Sequence, residues 1–199
     1  MYKKLLLTTF ASTVVVNNPV FAQDLLTGDQ RLACEALLCL SSGSRPSECN
    51  PSIQRYFSIR HKKASATLNA RRDFLNMCPA SKQDNNMRSL VDAISRGAGN
   101  CDAASINIIN RRTVWSGWDE DRKTYISSTM PSYCTAYYQH EYTDLKSAKP
   151  MYVGTPDRGG YWVEAEKYQE AYRQYKIRID REDKAKAQQQ QWWNQGGGN

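Results

Sequence analysis

Between residues 28 and 110, apolar positions recur at steps of three and four, the spacing of one face of a helix. The run LACEALLCL is apolar almost all round (Leu32, Ala33, Ala36, Leu37, Leu38, Leu40), as a central buried helix is. Thr27 stands at its capping position with Gln30 three residues on, and Gly43 is a natural stop, so a helix is predicted over about residues 28–42. Asn50 and Pro51 predict a second start, with Asn as the cap and Pro in the first turn. Ile53, Tyr56 and Phe57 share that helix's apolar face, and Arg60, His61, Lys62 and Lys63 close it against its negative end. A third helix is predicted over 65–77, where Leu68, Phe74, Leu75 and Cys78 are apolar and Pro79 ends the pattern. A fourth covers 84–96, with Met87, Leu90, Val91 and Ile94 as its stripe and Gly97 as its stop. Asp102 caps a short fifth containing Ile106, Ile108 and Ile109.

The period then fails. Residues 111–143 mix aromatic and polar side chains, and only a short helix starting near Pro131 and carrying Cys134 stands out. PMYVGTPDRGGYWVEA reads as two short strands around a Pro/Gly turn, a small β-hairpin. Beyond it Tyr161, Ala165, Tyr168, Tyr172, Tyr175 and Ile179 alternate at steps of four and three, a heptad-like stripe on a long C-terminal helix. The predicted class is mainly α: a disulfide-stapled helical bundle around a central apolar helix, with the hairpin and the long helix appended. The Gln/Trp/Gly-rich stretch 184–199 is low in complexity and is expected to be a disordered tail.

The N-terminus changes the compartment. Lys3 and Lys4 precede an apolar run over 5–16, and Val20-Phe21-Ala22 matches a signal-peptidase site. The run is shorter than the roughly 20 residues a membrane span requires. Residues 1–22 are therefore expected to be a cleaved signal peptide, leaving a periplasmic chain with a single domain over 23–183. A lipoprotein box at Arg31-Leu32-Ala33-Cys34 fails, because Arg31 stands where Leu is needed.

All six cysteines (Cys34, Cys39, Cys49, Cys78, Cys101, Cys134) survive that cleavage, and an even set in an exported chain reads as three disulfides with 15 connectivities open. Helix geometry excludes one pair. Five helical residues separate Cα atoms by roughly 8.6 Å, beyond the roughly 7 Å that a disulfide tolerates, so Cys34 and Cys39 staple different flanks of one helix. Cys39–Cys49 would clip the loop after that helix. It is favoured together with Cys34–Cys78 and Cys101–Cys134, without excluding the other pairings.

Chemistry is harder to find. No Cys-x-x-Cys pair exists, and His61 and His140 lack metal-ligand spacing, so no metal or cofactor is expected. Asp119-Glu120-Asp121 reads as a solvated turn, and His140 beside Glu141 does not converge on one substrate atom. The chain has no nucleophile elbow and no phosphate loop. Removing residues 1–22 takes away Lys3 and Lys4, leaving 25 basic against 20 acidic side chains, a net charge of +5. That balance disfavours direct nucleic-acid binding. Tyr168, Tyr172, Tyr175, Trp192 and Trp193 are the candidate partner-binding residues, because tyrosine and tryptophan are enriched in contact surfaces. The stripe at 161–179 is read first as packed on the chain's own core, with a partner-binding or self-associating helix as the alternative. Oligomeric state is not determined.

Two blocks carry a family resemblance. LTGDQRLACEALLCLSSGSRPSECNPSIQRYFSI (26–59) and MPSYCTAYYQHEYTDLKSAKPMYVGTPDRGGYWVEAEKY (130–168) resemble the TrbM/KikA family of conjugal transfer proteins, with Met130 where Leu is expected. The resemblance implies a periplasmic accessory of a plasmid-encoded type IV secretion system that supports mating-pair formation and meets other envelope components of that apparatus. It carries over no catalytic set, so a non-enzyme is expected. The alternative is a small exported enzyme or effector acting on the cell envelope, with Glu141 or Asp119 as candidate acids, or a toxin-like factor.

Overall fold

The computed structural model describes residues 26–116 and 121–196; the signal-peptide reading of 1–22 and the acidic pair Asp119 and Glu120 lie outside them. Seven α-helices and two antiparallel hairpins follow in the order α1 Gly28–Ser41, α2 Asn50–Ser58, α3 Ala64–Leu75, α4 Asn85–Gly97, α5 Ala103–Ile109, β1 Arg111–Ser116, β2 Asp121–Ile126, α6 Ser132–Gln139, β3 Met151–Val153, β4 Tyr161–Val163 and α7 Tyr168–Asn194.

Helix α1 is the hub. Ala33, Ala36, Leu37 and Leu40 are buried against a core that includes Tyr56 of α2, Phe74 and Leu75 of α3, and Leu90, Val91 and Ile94 of α4. Small alanines on α1 leave room for the large rings and branched side chains opposite, as close packing demands. One face nevertheless stays open. Leu38 is 74 % exposed, because partners on three sides leave the fourth to solvent. The expectation of a helix buried all round is corrected to that extent.

Two bridges hold α1 on opposite flanks, Cys34–Cys78 to the end of α3 and Cys39–Cys49 to the turn before α2; Cys101–Cys134 joins the start of α5 to α6. These are the three pairs favoured from the sequence, of which only Cys39–Cys49 rests on the loop it clips. Cα separations of 4.8, 5.7 and 5.4 Å lie within the usual disulfide range.

Helix ends differ in detail from the sequence reading. Thr27 occupies the N-cap of α1 but its side chain makes no capping bond. Gly43 does not close α1 as a left-handed residue. Instead, the Asp144 N–H donates to the Ser41 carbonyl at 2.8 Å and the Gly43 N–H to the Asp144 carbonyl at 3.1 Å, so a distant segment satisfies the end of the helix. Asn50 lies inside α2 instead of capping it, because a 3-10 turn (Ser47–Cys49) runs straight into the helix. Helix α2 ends at Ser58, leaving Arg60, His61, Lys62 and Lys63 in an exposed loop and not in its last turn. Asp102 does cap α5, accepting from the Ser105 N–H at 2.8 Å, and Asp84, expected as the first residue of α4, caps it instead, accepting from the Met87 N–H at 2.7 Å.

Gly97 was read as a stop; it is the last residue of α4 and a contact point. A Cβ there would overlap Cγ and Cβ of Tyr137 in α6. Buried tyrosines tie helix ends together: Tyr137 donates to the Leu40 carbonyl (2.7 Å), Tyr138 to that of Cys101 (3.0 Å) and Tyr56 to that of Ile94 (3.2 Å). Leu40 lies in the last turn of α1, where carbonyls lack full intrahelical partners, whereas the Ile94 carbonyl of α4 also accepts the Ala98 N–H at 2.9 Å.

The β1–β2 hairpin has no counterpart in the sequence reading. It pairs Arg111 with Ile126 through Ser116 with Asp121. Its described side chains from Arg111 to Val114 are exposed, so no buried face imposes the period-two pattern by which a strand is recognised. Asn110 clasps its base, donating to the carbonyls of Ser127 and Thr129. The foreseen β3–β4 hairpin packs on α5, where Asn107 exchanges two 2.8 Å hydrogen bonds with the backbone of Trp162.

Candidate functional site: an exposed helix and two clefts

Tyr161 of the heptad-like stripe lies in β4 and Ala165 in a 3-10 turn, so the helical part of the stripe begins at Tyr168. There it splits. Tyr175 is buried beneath the β3–β4 turn, where Gly154 at φ +78° has no Cβ to meet the ring and the Thr155 N–H donates to the phenol at 3.3 Å. Tyr168 and Tyr172 stack at 5.9 Å, and Tyr172 remains 42 % exposed. Arg178 fastens the next turn. It lies over the Tyr175 ring, pairs with Glu182 at 2.6 Å and donates to the Arg158 carbonyl at 2.7 Å. Arg158 in turn pairs with Asp183 at 2.6 Å.

After Asp183 every described residue is exposed, yet α7 continues to Asn194 through the stretch read as a disordered tail. Lys, Ala and Gln are strong helix formers, and neither Gly nor Pro interrupts them before Gly196. Lys184 adds a pair one turn apart with Asp180. Trp192 and Trp193, 54 % and 58 % exposed, stand edge to face at its far end. The candidate residues are thus divided: Tyr175 belongs to the core, Tyr168 is half-buried, and Tyr172, Trp192 and Trp193 face outward.

Among the described residues the histidine and carboxylate candidates His61, His140 and Glu141 do not assemble. His140 accepts the Tyr142 N–H on Nδ1 (3.1 Å), and its Nε2 lies 2.7 Å from the Ser89 hydroxyl. It therefore ties α6 to α4, while Glu141 is exposed beside it. Among the described residues no three His, Cys, Asp or Glu side chains group in a way that could hold a metal ion, and all six cysteines are in disulfides.

Two clefts flank the Phe57 ring. The first, about 970 Å³, is lined by Arg45, Tyr137 and Tyr138 and by Asp102, Asp144, Glu164 and Glu166. Two of its carboxylates are engaged at the start of α5, Asp102 with Ser105 and Glu164 with the Ala103 N–H at 2.7 Å. Burial raises the Tyr138 phenol well above the ordinary tyrosine range, and the nearby Glu164 charge adds to it. The second, about 610 Å³, lies between α2, α3 and the turn after α4, and holds Arg60, Arg71 and Arg96. Arg71 is buried, a feature absent from the sequence reading. The signal was there: Arg71 follows Leu68 by three and precedes Phe74 and Leu75 by three and four, the apolar stripe of α3.

A family model described as TrbM matches residues 25–176. The chain belongs to the TrbM family. Membership makes it a conjugal transfer protein, in agreement with the resemblance of the two cysteine-bearing blocks. No curated protein and no solved structure matches the chain. The TrbM span takes in all six cysteines, both clefts and both hairpins and ends just beyond Tyr175, so Trp192 and Trp193 lie outside it. No helix among the described residues of this TrbM protein is long and apolar enough to cross a membrane.

Proposed function

We propose that the protein is a non-catalytic periplasmic accessory of a plasmid-encoded type IV secretion system, which docks envelope components of the apparatus during mating-pair formation. TrbM membership over 25–176 carries this reading. Three disulfides support an oxidising compartment, because such bonds persist outside the cytoplasm. The basic, apolar and small-residue pattern of 1–22 supports export by a cleaved signal. The outward half of α7, with Tyr172 and the two tryptophans exposed, supports a docking role.

A donor strain with an in-frame deletion of this gene should transfer its plasmid at a strongly reduced frequency, restored by the full chain supplied in trans. Undiminished transfer refutes the reading. Fractionation with thiol trapping tests the compartment: the native protein should sit in the periplasmic fraction with no reactive thiol, and a cytoplasmic pool with free thiols counts against it.

A further inference from the structure

Arg71 is a buried cation without a carboxylate. It is 7 % exposed, it forms no ion pair among the described residues, and its Nε has no hydrogen-bond partner. Its guanidinium lies 5.0 Å from the Tyr56 ring and 5.1 Å from that of Phe57. Cation–π attraction and a hydrogen bond to the Tyr56 side chain offset part of the desolvation of the charge, but neither supplies an anion, the partner a guanidinium grips most strongly.

The other cations of the cleft are already engaged. Arg96 pairs with Asp92 at 2.9 Å, and Arg60 Nε donates to the Phe57 carbonyl at 3.2 Å. No acidic residue is among those lining the cleft, while Phe57, Ala64, Leu68, Ile109 and Tyr133 make much of its wall apolar. The volume of about 610 Å³ is that of a ligand pocket. The exposed Arg60, Lys62 and Lys63 extend the positive field from its edge into solvent.

We propose that this cleft binds an acidic, apolar-flanked peptide segment of a partner protein, with one carboxylate meeting the Arg71 guanidinium and a neighbouring apolar side chain on Phe57 and Leu68. One guanidinium that forms no ion pair among the described residues matches the single charge of a carboxylate. The apolar wall matches a side chain beside it better than a bare phosphate. Arg71 is a binding residue here, in a surface separate from α7, and the inference does not rest on the transfer reading.

The test is NMR titration of the oxidised full chain with a hexapeptide alternating leucine and glutamate, its leucine–glutamine counterpart, and inorganic phosphate at matched ionic strength. The glutamate peptide should bind at least tenfold tighter than the glutamine one and shift the Arg71 Hε and the amides around Phe57. Arg71→Gln should abolish that difference. Ile109→Glu, at an exposed edge position that leaves Arg71 in place, should weaken the glutamate peptide about tenfold and decides the matter should Arg71→Gln not fold. Equal binding of the two peptides, or shifts confined to other surfaces, overturns the proposal. Phosphate binding at Arg71 as tight as the glutamate peptide overturns the peptide assignment.

Discussion

Removing one bridge at a time separates what the disulfides do from what the core does. In the chain-entropy account, a closed loop of n residues stabilises by roughly T(2.1 + 1.5R ln n) cal/mol. Cys34 and Cys78 are 44 residues apart in sequence, but Cys39 and Cys49, 10 apart, lie within that loop. The inner bridge short-circuits the outer loop to about 35 links, so Cys34–Cys78 contributes about 3.8 kcal/mol and Cys39–Cys49 about 2.7 kcal/mol. Each pair joins one buried cysteine, Cys78 or Cys49, to one half-buried cysteine, so the burial lost on replacement by alanine is similar. The difference of about 1 kcal/mol therefore reports loop length. Guanidinium unfolding of the full chain, followed by circular dichroism, measures both double variants, Cys34→Ala with Cys78→Ala and Cys39→Ala with Cys49→Ala. Against a total stability of about 5–15 kcal/mol both losses are large. Equal losses, or a larger loss for the inner pair, would refute the reasoning.

Other outcomes follow from single contacts. Gly97→Ala should destabilise by about 1–3 kcal/mol, because the new methyl meets the buried Tyr137 ring and α4 and α6 must part; a thermal melt unchanged from that of the parent contradicts this packing. Burial raises the phenols of Tyr56, Tyr137, Tyr138 and Tyr152, the last to about 12, with Tyr175 and Asp157 adding to it. A raised pKa means the folded state holds the proton more tightly, so this stabilisation is complete below about pH 10 and is lost as pH rises through the folded values. Phenolate absorbance should accordingly appear later in the folded chain than in guanidinium. The Arg55 guanidinium, bonded to Asp29 at 2.6 and 2.9 Å, holds that carboxyl below its usual range. Its contribution is full above about pH 4 and disappears as pH falls through the lower folded value. Asp29→Asn should flatten that part of the acid limb of melting temperature against pH, and an unaltered limb counts against the pair.

Local physics was written in the chain. Periodic stripes, the capping Asp102 and Pro/Gly turns located the first five helices, α6 and the β3–β4 hairpin, because each depends on residues within a few positions of one another. Helix rise alone also excluded a Cys34–Cys39 bridge. Other features depend on residues far apart in sequence. The end of α1 at Asp144, the meeting of Gly97 with Tyr137 and the burial of Tyr175 under Gly154 exist only once distant segments pack. Apart from Tyr125 and Ile126 at its base, the described side chains of the β1–β2 hairpin are exposed, so its strands carried no alternating pattern to read. Arg71 shows the division most clearly. Its place on the α3 stripe was visible as spacing, but only tertiary packing brought the Tyr56 and Phe57 rings beside its guanidinium and kept carboxylates away. Sequence determines which face a side chain occupies; the charge environment it meets there is a sum over neighbours that only the folded chain supplies.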